Sequence, residues 1–207
     1  LTDTTINTSG GAAASGGSQG NGGTITISDA LVISSGAVTL NTGATNGNVT
    51  ISSTINGSTD LDIISGTGSV AIQGVIGGSA ALSSLDINST AGQTGTIEVS
   101  DIGDGDPNPA VTGLTRLGNA NTTTLTLDGS DYDFGAGVTF GSATYTQNAG
   151  TGVFDVNNGP VSFLGNVVTN GTFSVDSNGG DITVAGNISA TNATDTVSLS
   201  DGGGSGT

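Results

Sequence analysis

The sequence predicts an all-β fold, a parallel (right-handed) β-helix solenoid with coils of about 20–25 residues. Three observations carry that expectation. Short apolar–polar–apolar runs recur along the chain, distant segments share the same internal spacings, and Asn-Gly pairs punctuate the runs.

The runs come first. Ile25-Thr26-Ile27, Val38-Thr39-Leu40, Val49-Thr50-Ile51, Leu61-Asp62-Ile63 and Val70-Ala71-Ile72 open the series. Leu85-Asp86-Ile87, Ile97-Glu98-Val99, Leu125-Thr126-Leu127 and Val138-Thr139-Phe140 continue it. Phe154-Asp155-Val156, Val161-Ser162-Phe163, Phe173-Ser174-Val175, Ile182-Thr183-Val184 and Val197-Ser198-Leu199 close it. The apolar members are mostly β-branched or aromatic and alternate with a polar one, as in strands with one dry face and one wet face. No helix is expected, because glycine interrupts every stretch long enough for three turns. Gly78 to Leu85, the most helix-friendly patch, has no apolar stripe around it.

The repeat follows from spacing. Leu61, Ile63, Val70, Ile72, Gly74 and Ile76 have the same offsets as Phe173, Val175, Ile182, Val184, Gly186 and Ile188. Starts at Val38, Leu61 and Leu85 lie 23 and 24 residues apart, and Phe173 and Val197 lie 24 apart. A unit of this length cannot bury its own apolar face, so neighbouring units must stack. About nine coils at ~4.8 Å each would give a rod roughly 45 Å long. Asn-Gly at 46–47, 56–57, 158–159, 170–171 and 178–179 would supply positive-φ corners, where stacked Asn side chains could bond in ladders. The five Phe, all between 134 and 173, would form an internal aromatic stack. An antiparallel β-sandwich is the rival fold, since Asn-Gly also closes hairpins.

Composition then narrows function. The 207 residues include 38 Gly and no Cys, His, Met or Trp; 17 acids face a single base, Arg116, for a net charge of −16. Without His or Cys there is no zinc, haem or iron–sulfur site of the usual kind, and no Ser-His or Cys-His nucleophile. One base cannot neutralise a nucleic-acid backbone or clamp a transferring phosphoryl group. No apolar run approaches the ~20 residues of a transmembrane helix. The absence of Cys fits a chain exported unfolded, with no disulfide to form on the way.

One stretch breaks the pattern. We expect coils over 1–100, an irregular acidic, Pro-containing insertion over 101–124, and coils again over 125–207. The interval from Leu85 to Leu125 is 40 residues, room for about one extra coil. Asp104, Asp106 and Asn108 match the first ligand positions of a Ca²⁺ loop, but Pro109 replaces its turn Gly and Thr115 its bidentate Glu. Asp128, Asp131 and Asp133 form a second acidic cluster. A solvated acidic loop explains both clusters; Ca²⁺ is the one cofactor they suggest, and none is required. Asp104/Asp106 or Asp131/Asp133 would be the acid–base pair of a carbohydrate-active β-helix enzyme. Arg116 alone is available to hold a uronate, and no catalytic residues are assigned.

Units such as Gly180 to Ser189 (GDITVAGNIS) resemble the repeats of large bacterial surface adhesins of the filamentous-haemagglutinin and autotransporter-passenger type. The resemblance implies an extracellular or cell-surface stalk or filament of a Gram-negative-type bacterium. Its partners would be further coils of the same chain, other copies, and cell-surface glycans or matrix. No catalytic residue carries over.

Overall fold

The computed structural model describes residues 1–11, 20–105, 108–148 and 150–202. Among these, no residue is helical, and 22 strands form three parallel faces of a solenoid of about eight turns. Face A stacks β1 (Thr2–Asn7), β4 (Ser35–Asn41), β7 (Asp60–Ile64), β9 (Ser84–Ile87), β11 (Thr115–Gly118), β14 (Val138–Gly141), β17 (Val161–Phe163) and β20 (Ile182–Val184). Face B stacks β2 (Ile25–Ile27), β5 (Val49–Ile51), β8 (Val70–Ile72), β10 (Ile97–Val99), β12 (Leu125–Leu127), β15 (Thr144–Gln147), β18 (Asn166–Thr169) and β21 (Ile188–Ala190). Face C is less regular. It begins with β3 (Leu31–Ile33) and β6 (Ile55–Gly57) and ends with β13 (Asp131–Phe134), β16 (Thr151–Val156), β19 (Thr172–Asp176) and β22 (Thr196–Ser200). Single bridges at Ile76 and Ile102 join its two parts. Every pairing between these strands is parallel, which removes the sandwich alternative.

Register explains why these residues form these strands. On face A, Val38, Leu61, Leu85, Thr115, Val138, Val161 and Ile182 lie in one file, at intervals of 23, 24, 30, 23, 23 and 21 residues. Each three-residue strand points its first and third side chains inward, so a continuous apolar core runs along the rod. The middle side chains face water: Thr39, Asp62, Asp86, Arg116, Thr139, Ser162 and Thr183 on face A. Eight turns at ~4.8 Å span roughly 38 Å, slightly less than nine coils would.

Three expectations need correction in detail. The two equal-offset segments occupy different faces: Leu61 and Ile63 belong to A, whereas Phe173 and Val175 belong to C. Their match is a shift by one face, possible because strands on all three faces share the same inward–outward–inward pattern. The interval from Leu85 to Leu125 likewise joins two faces, for Leu85 pairs with Thr115 and Leu125 pairs with Ile97. No whole coil is inserted there. The extra length of that 30-residue turn lies in 88–96 and between Ile102 and Val111, both of which stay buried and bridged to the neighbouring turns. Asn56-Gly57 lies within β6 and makes no corner; a Cβ on Gly57 would meet the Ile33 carbonyl oxygen at 2.5 Å.

Other corners follow the sequence. Asn46, Asn158 and Asn178 have φ near +50 to +60°, and Gly171 and Gly179 are also left-handed. Two rungs of asparagine ladder form, from Asn46 Nδ2 to Asn21 Oδ1 and from Asn192 Nδ2 to Asn170 Oδ1. A buried polar corner holds the long turn in place. Asn88 Oδ1 accepts from Ser65 N, Asn88 Nδ2 donates to Ser65 Oγ, and Asn119 Nδ2 reaches the carbonyls of Asn88, Thr90 and Gln93. These bonds satisfy backbone that the irregular loop would leave orphaned.

The aromatics form the expected stack. Tyr132 lies on Phe154 at 4.6 Å and Phe140 on Phe163 at 4.7 Å, both nearly parallel, because each pair is in register on adjacent turns. Phe163→Ala should therefore destabilise the rod by about 3–5 kcal/mol, while Ser162→Ala, pointing outward from the same strand, should stay within about 0.5 kcal/mol. Urea unfolding midpoints of the two variants check this.

Candidate functional site

The acidic residues singled out by sequence converge only in part. On β13, alternation sends Tyr132 and Phe134 inward and Asp131 and Asp133 outward. Register then places Asp133, Asp155 and Asp176 on three consecutive turns of face C. Gly103, one turn earlier, fits against this file because it lacks a side chain. A Cβ there would lie 2.4 Å from Asp133 Oδ2 and 3.2 Å from Asp131 Oδ2, and its φ is +122°. Asp133 is consequently buried, at 6% exposure, although it points away from the core.

A cleft of about 360 Å³ opens beside this file, lined by Pro109, Asp133, Phe134, Asp155, Val156, Asn157 and Asn178. Asp104 and Asn108 line a neighbouring cleft of about 260 Å³ with the glycine-rich loop at 77–81, and Pro109 borders both. Asp106 lies outside the described residues. Asp128 is not part of this face: its Oδ1 accepts from Asn148 Nδ2, and it neighbours Glu98 of face B. Among the described residues, no three carboxylates gather into a group that could hold a metal ion.

Sequence reasoning missed Asp101. Its Oδ1 accepts from Ser130 N at 2.6 Å and Asp131 N at 3.1 Å, fixing the entry to β13 from one turn below. An Asp at a corner, where side chains bond nearby backbone amides, was the available signal. Arg116, read within the irregular stretch, stands on β11 and pairs with Asp86 at 3.3 Å. Tyr132 and Tyr145 are core residues whose phenols are pushed up by burial, so neither is presented to a ligand.

Electrostatically the faces are strained by like charge. The Asp155 carboxyl is raised by burial first, then by Asp176 and Asp131. Asp62 is raised by burial and then by Asp86, and Glu98 by burial and then by Asp128. No histidine, lysine or second arginine exists to relieve them.

Comparison with protein-family models, curated proteins and solved structures finds no match. The fold is that of β-helix repeat proteins, and this conclusion stands on the geometry of the chain itself. No helix among the described residues is long and apolar enough to cross a membrane.

Raised carboxyls bind protons more readily folded than unfolded. Their contribution to stability is complete below the ordinary carboxylate range near 4 and is lost as pH rises through the folded values. The melting temperature should therefore rise as pH is lowered from 7 towards about 4. Asp62→Asn with Asp155→Asn should flatten that rise in a thermal melt followed by circular dichroism.

Proposed function

We propose that this protein works mechanically, as a structural or adhesive β-helical stalk or filament element at a bacterial cell surface or in its extracellular matrix. One observation carries the reading: two eight-stranded parallel sheets run in register along the described rod, and on the third face single bridges join a two-stranded and a four-stranded sheet. Such a rod resists bending because each turn is bonded to the next on three sides. Most of its outward residues are hydroxyls, amides and carboxylates that stay hydrated, and the large negative charge keeps side faces apart. The Cys-free composition and the resemblance to surface adhesin repeats support an extracellular location, with glycans or matrix as ligands.

Antibodies against the folded rod should label intact cells that produce it. Labelling that appears only after permeabilisation would remove the surface role. Far-ultraviolet circular dichroism of the isolated chain should give a β-type spectrum; a helical or unfolded spectrum would sink the stalk reading.

A second reading, Ca²⁺ bridging face C two carboxylates at a time rather than in a closed cage, rests on the in-register neighbours Asp133 and Asp155 and the next pair, Asp155 and Asp176. Oxygen-rich surroundings without competing bases suit a hard cation at extracellular concentrations. Millimolar Ca²⁺ should then raise the melting temperature, and Asp155→Asn should abolish the shift. An unchanged melt in Ca²⁺ rules this reading out.

A further inference from the structure

We propose that face B is a lateral interface on which a second copy of this chain packs, face B to face B, pairing two rods side by side. The pairing depends on that face alone and not on the cellular role argued above. Its outward positions are the residue between each inward pair, as Thr126 between Leu125 and Leu127, and the residue on either side of the pair. That gives three positions on each of eight strands, 24 in all, and none is buried. Pairing runs through the eight strands one to one, without the register shift seen between β1 and β4 on face A.

Composition separates this face from the other two. Only Glu98 and Asp128 among the 24 are charged, and 14 are Thr or Ser. Face A carries Asp60, Asp62, Asp86 and Asp181, and face C carries the file described above. In a chain of net charge −16, charge holds faces A and C apart, so like-charged copies can meet only on face B. The chemistry of the face is also complementary to itself. Hydroxyls and amides both donate and accept hydrogen bonds, so two such faces satisfy each other, whereas carboxylates only accept and cannot. Thr methyls, Ala71 and Val168 add apolar contact. No aromatic ring stands among the 24 positions to stack on a sugar, because Tyr145 of β15 points into the core.

Size fits as well. Eight turns at ~4.8 Å by five residues at ~3.3 Å measure roughly 38 by 17 Å, or about 650 Å². Two such faces cover about 1,300 Å² together, within the range of specific protein interfaces. The short side chains let the two sheets approach to the usual ~10 Å. Each copy contributes the same patch, so a two-fold axis relates them and the pair is closed. One feature of the face opposes the pairing. Glu98 and Asp128 stand on neighbouring turns, and the pair of rods would bring four carboxylates under one cover.

Sedimentation equilibrium tests the pairing. A species of twice the 19.7 kDa chain mass should grow with concentration. Glu98→Gln with Asp128→Asn should tighten the dimer by about tenfold or more, and Thr126→Asp with Thr146→Asp should weaken it as much. Thr139→Asp with Ser162→Asp adds the same charge to face A and should leave the dimer largely unchanged. Circular dichroism should report the same β spectrum for every variant. Equal weakening by the face A and face B substitutions overturns the proposal. So does a chain that stays monomeric even with Glu98→Gln and Asp128→Asn. A monomer that is retarded by the neutral polymer dextran, and released by Thr126→Asp, overturns it in favour of a glycan partner.

Discussion

Parallel stacking in register is the constraint from which the other features of this molecule follow. Each strand of an interior turn bonds to the strand above and the strand below, so a residue's environment is set by its own file. Inward positions must match their neighbours in volume and apolarity, because interiors tolerate neither voids nor overpacking. The aromatic segment shows this matching. Phe140 lies on Phe163 and Tyr132 on Phe154, and the surrounding rings meet them edge-on. The same constraint decides where length can vary. The long turn between Leu85 and Thr115 keeps its inward residues Ile97, Val99, Ile102 and Val111 in file and places its surplus before Ile97 and between Ile102 and Val111.

Charge is arranged by the same geometry, at some cost. Equivalent outward positions lie one turn apart, so repeated acids become stacked acids, as at Asp62 and Asp86 or Asp133, Asp155 and Asp176. The single base relieves one such pair, through Arg116 and Asp86. Elsewhere the repulsion persists and is held in place by the apolar core and the backbone ladder. Its consequence is directional. The side faces carry the negative charge, whereas the core between them is apolar along the rod.

How much of this was legible in the sequence depended on which residues were fixed by the file and which by their corner. The strands, their parallel stacking, four of the five Asn-Gly corners and the aromatic stack followed from alternation and spacing. Phase did not. The spacing shared by Leu61 to Ile76 and Phe173 to Ile188 is real, yet it relates face A to face C, because one alternation serves every face. Buried polar residues at inward positions, such as Thr115 and Gln147, were also unreadable, since in sequence they look like any outward Thr or Gln. The acidic site was half legible. Asp131 and Asp133 do share strand β13, but Asp155 and Asp176 join them only through register, Asp104 lines a neighbouring cleft, and Asp128 leaves them for Asn148. Linear proximity is a poor guide in a solenoid, where the nearest neighbours of a residue are about a coil away in sequence.

That geometry also indicates where a molecule of this kind can carry recognition. Inward residues are committed to stacking and corners to turning, which leaves the outward residue of each strand as the freely variable position. On face B these are Thr26, Thr50, Ala71, Glu98, Thr126, Thr146, Val168 and Ser189, a surface dominated by hydroxyls and nearly free of charge. Face C instead gathers carboxylates beside clefts. Two chemically different surfaces are thus held on one stiff core. A partner seeking hydroxyl contacts and one seeking carboxylates would meet different sides of the same rod, each repeated at the spacing of the turns. Weak contacts repeated at a fixed spacing add up through avidity provided the scaffold does not bend. On the proposed adhesive reading, stiffness matters to recognition as much as the side chains that make contact.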